Sequence, residues 1–441
     1  MTRPWKIVAG WETLDEGSVE ERSCFAALGI EANGVWLTEG RDALANRLRQ
    51  APLLSAYHLA EWFAWNWWRL RWEPRTSSKD WQFAHKISNI GGGYIWPNIT
   101  IFSDGERTAL ISRATRERIE TPFRYISDAA AIVTSTDFEA EVDAFLEQVI
   151  ERLDALGVGS TNLSRLWADL NAERSDPMLA RIRKLEALMG KQPDELDDDL
   201  VTALFADSDR FGASAINEIA ADHGHDQRSE VLSARDLLSV ASTVGFSARP
   251  ADMVRLAAAS CAQEFRSQTP AWQLGASVAR SLRDQERLAD DPIGNDRLTA
   301  LLATDKRAID ARDATNLGVS FLVNPEGQEG RVVLRSKWQN GRRFELARLL
   351  GDKLMSAEGR LFPATRAYTY RQKAQRAFAA ELLSPFSAVL NMLQGDFSQE
   401  KQLDVAEHFG VSEITIRTQL VNHKILDRED LESDWMTAAA A

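Results

Sequence analysis

The sequence predicts a multidomain α+β protein, and three observations carry that expectation. Its 441 residues exceed what a single hydrophobic core usually organises. Strand-like runs with hairpin turns occur near the start of the chain and again after residue 317, while the stretch between them has helical periodicity. The tryptophans are unevenly placed: of 14, ten lie within the first 96 residues (Trp5, Trp11, Trp36, Trp62, Trp65, Trp67, Trp68, Trp72, Trp81 and Trp96). The expected organisation is a Trp-rich α+β domain over 1–157, an all-helical domain over 158–305, a second α+β segment over 306–395, and a helix-turn-helix-like element with a loose tail over 396–441.

In chain order, Cys24–Ile30 and Val35–Leu37 flank Asn33-Gly34, a pair that tolerates positive φ and suits a two-residue hairpin. A helix is expected over Ala56–Trp72, with Trp62, Trp65, Trp68 and Trp72 as a core stripe. Gly91-Gly92-Gly93 lacks the Lys and Ser/Thr of a phosphate loop and reads as a turn. A second hairpin is expected between Tyr94 and Ile111, turning at Asp104-Gly105. Phe138, Val142, Phe145, Val149 and Leu153 recur at helical spacing, and amphipathic segments follow at Pro177–Met189, Asp198–Phe205, Ser229–Val244, Ala251–Phe265 and Trp272–Leu288. After residue 317, Val319–Val323 and Arg331–Leu334 form an expected hairpin around Asn324-Pro325-Glu326-Gly327. Helices are then expected over Arg342–Met355 and Thr369–Leu383, the latter stopped by Ser384-Pro385. Lys401–Leu426 reads helix, Gly-containing turn, helix, with Ser412 suited to cap the second helix.

The composition excludes several classes. The net charge of −13 argues against a protein that coats nucleic acid over its whole surface. Two cysteines, Cys24 and Cys261, exclude a cysteine-built structural zinc and suit a reducing compartment. The most apolar window, Leu53–Trp72, carries His58, Glu61, Asn66, Arg69 and Arg71, too many polar groups for a membrane span. With no targeting segment visible, a cytoplasmic protein without a membrane partner is expected.

The block Arg343-Phe344-Glu345-Leu346-Ala347-Arg348-Leu349-Leu350-Gly351-Asp352 resembles the signature helix of the ImmA/IrrE metallopeptidase family, Arg-Phe-Thr-Leu-Ala-His-Glu-Leu-Gly-His. Downstream, Ala374-Gln375-Arg376-Ala377-Phe378-Ala379-Ala380-Glu381-Leu382-Leu383-Ser384-Pro385 is similar to the family's second block, Ala-Asn-x-Phe-Ala-Ala-Glu-Leu-Leu-Met-Pro. The helix-turn-helix-like end also resembles the family's usual ending, and Trp272–Arg283 resembles a helix upstream in some members. The resemblance spans 317–426 and implies that 306–395 is a zincin-like domain.

What the resemblance implies for activity is loss. In the family two histidines one helical turn apart bind zinc, and the glutamate between them is the general base. Here those positions hold Arg348, Leu349 and Asp352, and the third ligand should fall within Arg371-Gln372-Lys373, none of which is a carboxylate. No catalytic residue, metal or cofactor is therefore expected. Arg348 and Asp352 are expected to pair across the vacated position, since i and i+4 share a helix face.

Between Arg331 and Gly395 twelve basic residues face four acidic ones. Arg342, Arg343, Arg348, Arg371 and Lys373 are expected to converge on an outward-facing anion-binding surface. In the C-terminal element Thr415, Arg417 and Gln419 are the candidates for reading DNA, although Asp396–Leu426 carries net negative charge, which is poor for phosphate contacts. His223-Gly224-His225, flanked by Asp222 and Asp226, has metal-ligating residue types but no third partner and reads as a polar turn. The expected function is a non-catalytic regulatory or sensor protein that binds a protein partner or an anionic ligand such as nucleic acid. Family members cleave DNA-binding repressors in stress, mobile-element or phage-defence settings. The alternatives are a DNA-binding transcription regulator and an active metallopeptidase.

Overall fold

A computed structural model describes residues 4–116, 121–225, 231–256, 269–312, 317–325, 329–356 and 359–427. The chain divides into two compact units, Met1–Asp198 and Asp199–Ala441. Both mix helices with small antiparallel sheets, so the α+β class holds.

The first unit contains β1 (Trp5–Trp11), α1 (Val19–Ser23), β2 (Phe25–Ala32), β3 (Val35–Trp36), β4 (Gly40–Asp42), β5 (Arg47–Arg49), β6 (Leu53–Ser55), α2 (Ala56–Trp72), α3 (Lys79–His85), β7 (Ile99–Ser103), β8 (Arg107–Ser112), β9 (Phe123–Tyr125), β10 (Ala129–Thr134), α4 (Ser135–Ala155), α5 (Asn162–Ser175) and α6 (Pro177–Leu188). Three sheets run β1-β2-β3 with β6 also on β2, β10-β8-β7, and β5-β4-β9. Asn33 (φ 51°) and Gly34 (φ 81°) make the hairpin turn expected of them. Asp104 accepts from the amides of Glu106 and Arg107 and closes the second hairpin.

Ser55 caps α2 by accepting from the His58 amide. The expected tryptophan stripe is corrected at Trp65, and Trp72 is only partly buried. Trp62 and Trp68 are buried, but Trp65 is 60% exposed and Trp67 takes its place in the core. Sheets and helices enclose α2 on most sides, leaving His58, Glu61, Trp65 and Trp72 on the strip nearest solvent. Along α4, Phe138, Val142, Phe145, Val149 and Leu153 are all buried as expected. Glu141 from the same helix accepts from the amide of Ile7 at 2.8 Å, satisfying edge strand β1. The expected division at 157/158 differs from the structure, because α5 and α6 pack on α2. Their Leu163, Leu170 and Ala187 share its core, and Glu173 accepts from the Trp68 indole at 2.7 Å.

The second unit contains α7 (Asp198–Phe211), α8 (Ala213–His225), α9 (Ala234–Val244), β11 (Phe246–Ala248), α10 (Ala271–Gln285), α11 (Asn295–Leu301), α12 (Arg307–Asp310), β12 (Ser320–Val323), β13 (Gly330–Val333), α13 (Gln339–Met355), β14 (Leu361–Ala364), α14 (Tyr370–Leu383), α15 (Phe386–Leu393), α16 (Gln399–Phe409) and α17 (Glu413–Asn422). One antiparallel sheet runs β11-β13-β12-β14. The expected β12–β13 hairpin is present. The expected all-helical stretch is not: β11 lies inside it and pairs with β13. Pro363 sits in β14 at the sheet's edge, where its missing N–H breaks no ladder. Helices α10, α13 and α14 pack closely. A Cβ on Gly275 would lie 2.2 Å from the Ala374 carbonyl, and one on Gly351 would lie 2.5 Å from the Phe378 ring.

Of the expected helix Ala251–Phe265, residues 251–256 are not helical and the rest lies outside the described residues, as do Cys261, Asp226 and the tail 437–441. Among the described residues no helix is long and apolar enough to cross a membrane.

Candidate functional site

The two blocks that carry the family resemblance become α13 and α14, and they face each other in the second unit. Arg348 and Asp352, one turn apart on α13, share a face. They do not form the expected pair. Asp352 instead accepts two parallel hydrogen bonds from Arg371 of α14, 2.7 Å from Nε and 2.6 Å from Nη2. Burial opposes the charge of Arg371, but the Asp352 carboxylate outweighs it and raises its pKa above the ordinary value. Arg371 Nη1 also donates to Ser214 of α8 at 3.0 Å.

Arg348 is 5% exposed, and its Nη2 points at neutral oxygens: the Thr365 carbonyl at 2.7 Å, Gln372 Oε1 at 2.5 Å and Gln375 Oε1 at 3.4 Å. Its Nε is buried without a hydrogen-bond partner among the described residues. Arg376, one helical turn past Gln372 on α14, donates to the same Thr365 carbonyl at 3.1 Å and to the Arg366 carbonyl at 2.9 Å. Its guanidinium lies over the Tyr368 ring, and its Nη1 is likewise buried without a partner. Desolvation, then the neighbouring charge of Arg376, holds the Arg348 pKa well below the ordinary arginine value.

Nearby carboxylates are already engaged. Glu345 accepts from the amides of Arg335 and Ser336 at 3.0 Å and stands 3.5 Å from Arg335 Nε. Glu218 of α8 accepts from the Thr369 hydroxyl at 2.6 Å, and burial raises its pKa although Arg371 opposes this. Asp222, one turn further along α8, accepts from the Arg366 amide. Sequence reasoning missed Glu218, Thr365, Gln375 and Arg376. The available signal was the Glu218–Asp222 spacing beside the periodic Ile216, Ile219 and Ala220, which marks a helix with an acidic face.

Other expectations for this region are corrected. Arg342 is fully buried and donates to the carbonyls of Ala308 (2.6 Å) and Ser336 (2.9 Å). Arg343 is buried and donates to the carbonyls of Ile293 (2.8 Å) and Gly410 (3.2 Å) and to the Asn295 side chain. With Arg371 held by Asp352, these side chains tie segments of the fold together and do not form an outward-facing basic surface. Lys373 is half-buried, and Leu349 lies in the core.

In the C-terminal element Gly410 (φ 63°) ends α16 as a left-handed cap, as the sequence suggests. Ser412 stands at the cap of α17, but its hydroxyl meets that of Thr415. Two of the three DNA-reading candidates face inward. Thr415 and Gln419 are buried, and Gln419 donates to the Ser384 carbonyl at 2.9 Å; Arg417 is half-buried. This helix packs on α14, so its polar residues serve that contact.

The zinc that the resemblance implies does not suit these residues. A guanidinium occupies the first ligand position, Asp352 is held by Arg371, and Gln372 spends its Oε1 on Arg348 and on the Thr365 amide at 2.9 Å. Among the described residues no group of three or more His, Cys, Asp and Glu is arranged to hold a metal. Cys24, in the first unit, is buried, and burial pushes its thiol up to about 12, far from the thiolate form a nucleophile needs.

Set against known proteins, the chain matches no family model, no curated protein and no solved structure.

Proposed function

We propose that the second unit is a non-catalytic, ImmA/IrrE-like regulatory domain that recognises a partner or an anionic ligand without cutting it. One observation carries this reading: the Arg348 guanidinium is buried at the first ligand position, held by Thr365 and Gln372, while the second position, Asp352, is bound bidentately by Arg371. A fixed cation thereby stands where the family places a Lewis acid, and Leu349 at the base position has no proton to move. Recognition is what such a site retains. In this reading the domain serves stress response, mobile-element control or phage defence, as the resemblance implies, in the cytoplasmic setting that the composition suggests. The burial of Thr415 and Gln419 argues against the DNA-binding alternative.

The test is a cleavage assay on the natural partner. The full-length chain is captured natively with whatever protein it binds, and the complex is incubated with and without added zinc. The partner should stay intact in both arms. Zinc-stimulated cleavage, abolished by a chelator, would overturn the reading.

A further inference from the structure

We propose that the Arg348–Arg376 pair in the second unit is a binding site for a phosphate-class oxyanion. The proposal deepens the reading of this region as a metal-free recognition site and rests on it. Two guanidinium groups, one from α13 and one from α14, converge on a single acceptor, the Thr365 carbonyl. Every hydrogen bond they make goes to a neutral oxygen of Thr365, Arg366, Gln372 or Gln375. Burying like charges side by side without a counter-charge is unfavourable, because the low local dielectric magnifies their repulsion. The nearby carboxylates are hydrogen-bonded elsewhere, Glu345 to Arg335 and Ser336, Asp352 to Arg371, Glu218 to the Thr369 hydroxyl and Asp222 to the Arg366 amide, and among the described residues none of them bonds to either guanidinium.

Two donors remain open. Arg348 Nε and Arg376 Nη1 are buried and have no hydrogen-bond partner among the described residues. An arginine fork with unused N–H groups matches an oxyanion's geometry, and two guanidinium groups with no carboxylate hydrogen-bonded to them favour a phosphate-class anion. Arg348 closes the inner end of the site. Arg376 is partly buried, and the exposed Arg366 lies beside it, so this is the side of the site nearer to solvent.

The test uses the full chain, with inorganic phosphate as the probe and ionic strength held constant with chloride. Calorimetry should show saturable binding at one site per chain, and phosphate should raise the melting temperature. Arg376→Gln changes a partly buried side chain and should keep the fold. It should weaken binding at least about tenfold, the loss of one charge-assisted contact, and cancel the thermal shift. Arg348→Met should do the same, whereas Arg75→Gln in the first unit should change nothing. A nucleoside monophosphate and a phosphoserine peptide serve as competitors. Displacement by one identifies a phosphoester source, and displacement by neither identifies the free ion. No saturable heat and no thermal shift at millimolar phosphate would overturn the proposal, as would an Arg376→Gln variant that binds like the wild type. Zinc is measured on the same sample: bound zinc sinks the metal-free reading, whereas zinc-free protein that ignores phosphate sinks this proposal alone.

Discussion

Apart from Arg371, which Asp352 pairs, the two units bury arginine in different ways. In the first, buried guanidinium groups meet carboxylates. Arg69 lies 2.7 Å from Glu73, which also faces His85 at 3.0 Å, and Arg183 is surrounded by Glu173, Glu186 and Asp194 at 2.6, 2.8 and 2.9 Å. In the second, Arg371 is paired with Asp352, but Arg342, Arg343 and Arg376 meet mainly backbone carbonyls, Arg348 meets the Thr365 carbonyl and two glutamine side-chain oxygens, and Arg283 donates to Ala289 at 3.0 Å and Asp291 at 2.8 Å. Carboxylate pairing neutralises a buried cation, whereas carbonyls satisfy its hydrogen bonds and leave the charge. The first arrangement is a tie; the second, where it leaves N–H groups open at Arg348 and Arg376, is a site.

That contrast makes the variants unequal. Glu73→Ala should be the most damaging, because it strands Arg69 and His85 in the core. His85 has no escape, since its Nδ1 already meets the Ile101 carbonyl at 2.7 Å under the stacked Trp81 ring. The loss should be ~3–5 kcal/mol in urea unfolding followed by tryptophan fluorescence. A loss under about 1 kcal/mol would show that the triad is relaxed by water. Asp352→Asn should come next, at about 3 kcal/mol, because it removes the one carboxylate bound to Arg371 in a mostly buried setting. Arg348→Met should cost the least, within about 1 kcal/mol in either direction. Its removal leaves the two nearer acceptors satisfied, since the Thr365 carbonyl keeps Arg376 and Gln372 Oε1 keeps the Thr365 amide, and only Gln375 Oε1 loses its long 3.4 Å contact. A loss near that of Glu73→Ala would mean that Arg348 is a structural cation after all.

The smallest effect is in pH dependence, where the units should slope in opposite directions. Burial pushes the Glu73 carboxyl up, but His85 and Arg69 outweigh it and hold it below its ordinary value. A lowered folded pKa contributes stability above the unfolded value that is lost as pH falls through the folded one. Glu218 is raised by burial, so its contribution is full below the unfolded pKa and lost as pH rises through the folded pKa. Glu218→Gln should therefore flatten the alkaline side of that window and leave the acid side unchanged in chemical denaturation at graded pH. No change on the alkaline side would show that Glu218 stays ionised.

Much of the backbone was legible. Asn33-Gly34, the α4 stripe and the α13 and α14 blocks each carry a local pattern that tertiary contacts only reinforce. Other parts depend on partners distant in sequence. Pro363 disguises β14, which is a strand because β12 offers it an edge, and α5 and α6 join the first unit because α2 has a face to cover. The arginines were misplaced for a similar reason. A lone arginine reads as exposed, because lone cations are rarely buried. The acceptors that draw Arg342 and Arg343 inward are carbonyls of Ala308, Ile293 and Gly410, and no side chain at those positions announces them. At the candidate site, Arg348 and Asp352 were visible as departures from a pattern, but the choice of Arg371 over Arg348 as the partner of Asp352 is a matter of three-dimensional reach.

The central claim is that a guanidinium, not a metal ion, occupies the site between α13 and α14. Elemental analysis of the purified full-length chain, after incubation with excess zinc and dialysis, tests it most directly. The account predicts zinc far below one ion per chain, at the same level in wild type and Arg348→Met, because Asp352 remains bound to Arg371 in both. About one zinc per chain that survives dialysis and is lost in Asp352→Asn would contradict it.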